Sequence, residues 1–111
     1  MADPILLRGT LDLLILKMLV LGPLNGFEIT NAIETRSDGH LDVEDSALYQ
    51  ALHRMEERGF VEAEWGLSEK NRQARYYSLT RQGRTYLRAE GRRWASSATI
   101  VLRILGESGT P

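Results

Sequence analysis

At 111 residues the chain is long enough for one compact domain with an appendage and too short for two independent cores. It contains no cysteine, which excludes a disulfide framework and a thiolate metal site and fits a reducing cytoplasm. A formal net charge of −1 excludes a uniformly basic nucleic-acid binder, so contact with a polyanion would have to rest on where the charges stand.

The charges are unevenly placed. Between residues 70 and 93, Lys70, Arg72, Arg75, Arg81, Arg84, Arg88, Arg92 and Arg93 stand against the single acid Glu90, whereas the first 69 residues carry more acids than bases. The opening apolar run, "ILLRGTLDLLILKMLVLG", has the hydropathy of a signal sequence or membrane span, but Arg8, Asp12 and Lys17 interrupt it at intervals hydrocarbon penalises. It reads as the buried helix of a soluble protein. Leu11, Leu14, Ile15, Met18 and Leu19 follow the spacing of one helical face, and Leu13, Leu16 and Val20 fall roughly opposite, so this helix needs cover on two sides.

Gly22 and Pro23 stop it. Asn25 and Glu28 have the spacing of a capping box for a second helix that presents Ile29, Ala32 and Ile33 and ends near Ser37, Asp38 and Gly39. "HLDVED" reads as a short extended piece, with Glu44 or Asp45 placed to cap a third helix. His40 with Asp38, Asp42, Glu44 and Asp45 fits the ligand spacing of neither an EF-hand nor a zinc pair, so no metal is expected there.

On the third helix Leu48, Leu52 and Met55 make the buried stripe, and Gly59 closes the element. Its far side carries Ser46, Gln50 and His53, flanked by Tyr49 and Arg54. "FVEAEW" then alternates, Val61, Ala63 and Trp65 on the inner face and Glu62 and Glu64 on the outer, which is the period of a half-buried strand. A polar loop with Lys70, Asn71 and Arg72 leads to a second strand near "RYYSL". Thr80 is placed to cap a last helix reaching about Leu105, and its seam of Leu87, Gly91, Trp94, Ala98, Val101 and Leu105 alternates four and three, the spacing of a coiled-coil stripe. A helix of that length spans roughly 37 Å, more than the preceding domain needs, so its expected partner is a second copy of the chain. Leu13, Leu16 and Val20 are expected to meet that partner's last helix.

Three helices followed by two strands is the order of a winged helix-turn-helix, giving a mainly α fold with a small β-hairpin and a long C-terminal helix. In that arrangement the third helix lies in the DNA major groove and the hairpin touches the adjacent backbone. Ser46, Tyr49, Gln50 and His53, with Arg54 beside them, are expected to face DNA and offer mixed donors and acceptors to base edges, Gln being suited to adenine, while Lys70, Arg72 and Arg75, with Asn71 among them, would meet the phosphate backbone. Two histidines, no cysteine and no glycine-rich phosphate loop leave no catalytic constellation, so neither an enzyme nor a cofactor is expected.

The segments "LLRGTLDLLILKMLVLGPLNGFEI", "LYQALHRMEERGFVEAEW" and "RYYSLTRQGRTYL" resemble the signature blocks of PadR-like transcriptional regulators, in the same order and separation, over about Leu6 to Leu105. The resemblance implies a homodimeric bacterial repressor, in many members released from DNA by a small, often aromatic, ligand. The chain matches the short branch with a single C-terminal dimerisation helix. It implies a DNA-binding domain over 5–79, a dimerisation helix over 80–106 and a disordered tail over 107–111. Trp94 matches the placement of a tryptophan that, in the multidrug-binding branch, lines a pore between subunits and stacks on planar ligands; the alternative is that it fills the dimer core. Tyr86 admits the same two readings. The chain departs from the family where Gln50 replaces a proline, and where Asn71, Gln73 and Ala74 replace glycine, proline and a basic residue in the wing. The competing functional class is a winged helix that binds a protein partner without reading DNA, with which Glu62, Glu64 and the negative net charge are compatible.

Overall fold

The structure, a computed structural model, describes residues 9–106. The expected tail at 107–111 and the residues from 5 to 8 that open the expected domain lie outside them. The chain runs through α1 (Thr10–Met18), a short 3-10 turn (Leu19–Leu21), β1 (Leu24–Asn25), α2 (Gly26–Arg36), α3 (Asp45–Glu57), β2 (Val61–Leu67), β3 (Gln73–Leu79) and α4 (Arg81–Leu105).

The expected capping box is formed: the Asn25 side chain accepts from the Glu28 amide at 2.9 Å, and Glu28 Oε1 accepts from the Asn25 amide at 2.9 Å. At α3 the extended Glu44 occupies the capping position, but its side chain makes no capping bond. "HLDVED" forms no strand; Leu41 and Val43 turn their side chains onto the core from an irregular connection. Thr80 caps α4 as expected, its hydroxyl accepting from the Gly83 amide at 3.0 Å and donating to the Gly59 carbonyl at 2.7 Å.

The core joins Ile15, Leu16 and Leu19 from the first helix and its 3-10 turn, Ile29 and Ile33 from α2, Leu48, Ala51, Leu52 and Met55 from α3, Phe60 from the turn before β2, and Val61 and Tyr77 from the sheet. Its order is β1-β3-β2, all antiparallel. β1 was absent from the sequence reading, being two residues long and so without a period to detect. It places Leu24 opposite Tyr77 and Asn25 opposite Tyr76, which ties the start of α2 to the wing.

Two expectations about packing need correction. Leu16, placed on the outer face of the first helix, is fully buried within its own chain. The reason is that α1 has a second neighbour in the same chain, α4, and the Trp94 indole Nε1 donates to Thr10 Oγ1 across their contact at 3.0 Å. Trp65, placed on the inner face of its strand, is 66% exposed. Only the first rungs of the hairpin, Val61 opposite Leu79 and Ala63 opposite Tyr77, lie over the helices; Trp65 and Leu67 share their face but stand beyond the core's edge.

Candidate nucleic-acid interface

The outer face of α3 is free, as its periodicity predicts. Ser46, Gln50 and His53 are exposed while Leu48, Ala51, Leu52 and Met55 are buried beneath them. Four apolar side chains on one stripe fix the rotation of this helix, because turning it would bring them into water. His53 Nε2 stands 3.5 Å from the Glu57 carboxylate one turn on, both side chains exposed. Tyr49, half-exposed, lies against the backbone of Gly26: a Cβ at that position would collide with the phenol ring and hydroxyl. Glycine at the first position of α2 therefore lets the Tyr49 ring settle between α2 and α3.

The wing closes tightly. The Ser68 carbonyl accepts from the Asn71 amide at 2.8 Å, the Ser68 amide donates to the Arg72 carbonyl at 2.8 Å, and Asn71 adopts φ 60°. This is a turn followed by one left-handed residue, a conformation that asparagine tolerates better than most side chains. The missing glycine is thereby accommodated. Lys70 and Arg72 project from this turn, exposed, and have no carboxylate partner among the described residues.

The other two cations expected at the DNA face are exposed but paired with carboxylates of the same chain. Arg54 Nη2 donates to Asp12 Oδ1 at 2.8 Å, and Asp12 is only 7% exposed. Arg75 Nη2 donates to Glu56 Oε2 at 3.0 Å, with its guanidinium near the Tyr77 ring. Both arginines were expected to face DNA; each is engaged by a carboxylate from another element. Burial pushes the Tyr77 phenol up from its ordinary value while Arg75 pulls it down, so this ring stays neutral at physiological pH.

Between the start of α2, Tyr49 and the wing lies an open groove of about 860 Å³. Phe27 and Trp65 line it, and both are largely exposed, Phe27 at 76%. Neither had been assigned a role in binding. Phe27 was legible as an outlier, since it lies off the Ile29 and Ile33 stripe of its own helix; Trp65 was concealed by an alternation that reports the face of a strand and not its depth.

The residues nominated for self-association divide. On α4 Leu87, Gly91 and Ala98 are partly covered, whereas Trp94 is half-exposed and Val101 and Leu105 are exposed, along with Ile100 and Ile104. Leu13 and Val20 are partly buried. Val20 shares a hollow of about 520 Å³ with Leu87 and Gly91. Tyr86 is removed from the seam: its ring stacks on Phe60 with centroids 4.3 Å apart, under the Arg58 guanidinium. No helix among the described residues is long and apolar enough to cross a membrane.

A family model described as "Transcriptional regulator PadR-like family" matches residues 15–89. Among solved structures, a transcriptional regulator from Clostridium thermocellum superposes with a TM-score of 0.78 at 27% identity, over 86% of this chain and 90% of that one. A PadR family transcriptional regulator from Eggerthella lenta gives 0.74 at 28% identity, over 88% and 83%. Bacillus subtilis PadR in complex with operator DNA shares the fold, with a TM-score of 0.64 at 24% identity over 71% of this chain and 45% of that one. PadR family regulators are not enzymes. With the winged helix arrangement in place and the family match running from within α1 into α4, the chain belongs to the PadR-like family of transcriptional regulators.

Proposed function

We propose that the protein is a homodimeric repressor that reads an inverted repeat in duplex DNA, each α3 entering the major groove of one half-site and each wing touching the neighbouring backbone. The observation that carries this is the free ridge of Ser46, Gln50 and His53 on a helix whose opposite stripe is entirely buried, next to a tight turn that presents Lys70 and Arg72. Ser46, Tyr49, Gln50 and His53 are the base-facing set; Lys70, Asn71 and Arg72 are the backbone set. Arg54 and Arg75 support these elements from behind through Asp12 and Glu56.

On this reading residues 5–79 are the DNA-binding domain and α4 the dimerisation element. Ile100, Val101, Ile104 and Leu105 line the free end of α4, and a second copy would cover them and the hollow beside Val20. Trp94, half-exposed on the same seam, is the residue placed to stack on a small planar aromatic effector whose binding releases DNA. Such a regulator works in the cytoplasm, where its operator is.

Affinity selection from random duplexes followed by sequencing tests the proposal. The expected product is a palindromic motif with half-site centres about one helical turn, roughly 34–36 Å, apart or somewhat more. Failure to retain any duplex in a salt-sensitive manner would leave the protein-binding alternative in possession.

A further inference from the structure

Of the four cations expected at the DNA face, Lys70 and Arg72 have no carboxylate partner among the described residues, and the chain as a whole carries a charge of −1. Counterion release from two side chains per subunit is a modest source of affinity. Yet the same surface exposes Phe27 at 76%, Trp65 at 66% and Tyr49 at 48%, three large aromatics facing one groove. Isolated apolar residues at a surface are ordinary; three converging on one concave site mark a binding surface.

We propose that this groove seats one sugar-phosphate strand of the duplex, with Phe27 and Trp65 packing on deoxyribose rings from the two walls and Tyr49 forming the floor. The inference rests on the DNA-binding reading above and assigns this groove a salt-independent share of the affinity. Three features favour a strand over a small ligand. The groove is continuous with the α3 ridge, since Tyr49 belongs to both. It is open to solvent rather than enclosed and reaches from the start of α2 to the wing turn, as a polymer requires. Its rim carries Lys70 and Arg72, whose charges suit phosphates flanking a buried sugar. Two acids also line it, Glu28 held by the Asn25 amide and Glu69 in the wing turn, together with Arg75, whose charge is paired by Glu56. The unpaired charges therefore leave the groove close to neutral, which matches a sugar ring better than a phosphate. The Tyr49 ring, seated against Gly26, gives a floor already in place before binding.

Backbone contacts are independent of sequence, so an arbitrary 30-base-pair duplex serves as the probe, with anisotropy followed over a range of salt concentrations. Phe27→Ala and Trp65→Ala should each weaken binding about tenfold or more, as expected when one well-covered aromatic contact per subunit is lost. The slope of log affinity against log salt should remain that of wild type. Arg72→Ala should do the reverse, lowering the slope by about one per engaged subunit. Duplex should shift tryptophan emission to shorter wavelength in wild type, as the exposed Trp65 ring leaves water, and the shift should be lost in Trp65→Phe, which keeps an aromatic ring and most of the affinity.

Wild-type affinity in both alanine variants, or Trp65 emission unshifted at saturating duplex, overturns this assignment while leaving the functional reading in place. A Trp65 emission change caused by a planar aromatic compound but not by duplex overturns it in favour of a small ligand. Absence of duplex binding by wild type overturns both.

Discussion

Arg54→Ala separates two roles that the sequence places on one residue. In the structure its guanidinium is the partner of Asp12, at 2.8 Å, with 50% of the Arg54 side chain and 9% of the Asp12 side chain exposed. Truncation leaves the Asp12 carboxylate in its pocket without a donor. Removing one member of a fully buried pair costs about 3–5 kcal/mol. Arg54 is half in water, so solvent reaches the vacated site, and the lower range of about 1–3 kcal/mol for an unsatisfied buried group applies. For a domain of this size each kcal/mol moves the melting temperature by about 4–8 °C, so a fall of about 5–20 °C is expected at fixed protein concentration. Adding Asp12→Ala should recover part of it, because the stranded charge is then gone. The assay is a set of thermal melts by circular dichroism joined to a salt titration of duplex binding. The salt slope should stay at the wild-type value. An Arg54→Ala protein that melts with wild type and loses about one unit of slope per subunit would refute the ion-pair assignment and make Arg54 a phosphate ligand.

Four further substitutions test three separate parts of the structure. Gln50→Ala or His53→Ala should blunt discrimination by roughly 1–3 kcal/mol at one base position while leaving stability intact, measured over single-base variants of the selected site; unchanged discrimination would take α3 out of the groove. Leu52→Ala, at a position 1% exposed, should cost about 2–5 kcal/mol in urea unfolding, and a wild-type midpoint would mean that the helix is turned the other way. Gly83→Ala should destabilise although alanine favours a helix by about 1 kcal/mol, because the new Cβ would press on the Phe60 carbonyl and stand 2.8 Å from Leu79 Cδ1, and overpacking of that kind costs about 1–3 kcal/mol. A more stable variant would show that α4 does not start flush against the sheet.

What could be read along the chain was local. Leu48, Leu52 and Met55 announced the inner side of α3 through helical spacing, and the Asn25–Glu28 capping box was visible as a three-residue interval, because both signals depend on neighbours within a turn. The exposure of Ser46, Gln50 and His53 followed from the same wheel. The errors have one physical origin: they concern what lies opposite a face rather than where the face points. The spacing sets Leu13, Leu16 and Val20 apart from the main stripe, but nothing in it shows that α4 of the same chain passes close by or that Leu16 joins the core with Ile15 and Leu19. Trp65 alternates correctly, and its hairpin simply runs past the helices that would have covered it.

Electrostatics was the least legible property. Arg54 meets a carboxylate 42 positions away and Arg75 one 19 positions away, intervals that no periodicity records. Two of the four cations proposed for the DNA face are thus already paired within the chain, which leaves Lys70 and Arg72 without a carboxylate partner among the described residues. On the proposed reading, that weaker long-range attraction would shift the burden of recognition to groups that act only on contact: hydrogen-bonding side chains on α3 and the aromatic walls beside it. Salt would then move the affinity of this protein less than it moves that of a strongly basic binder, while shape and hydrogen-bond mismatches would move it as much, since each charge engaged contributes its own increment to the salt slope and uncharged contacts contribute none.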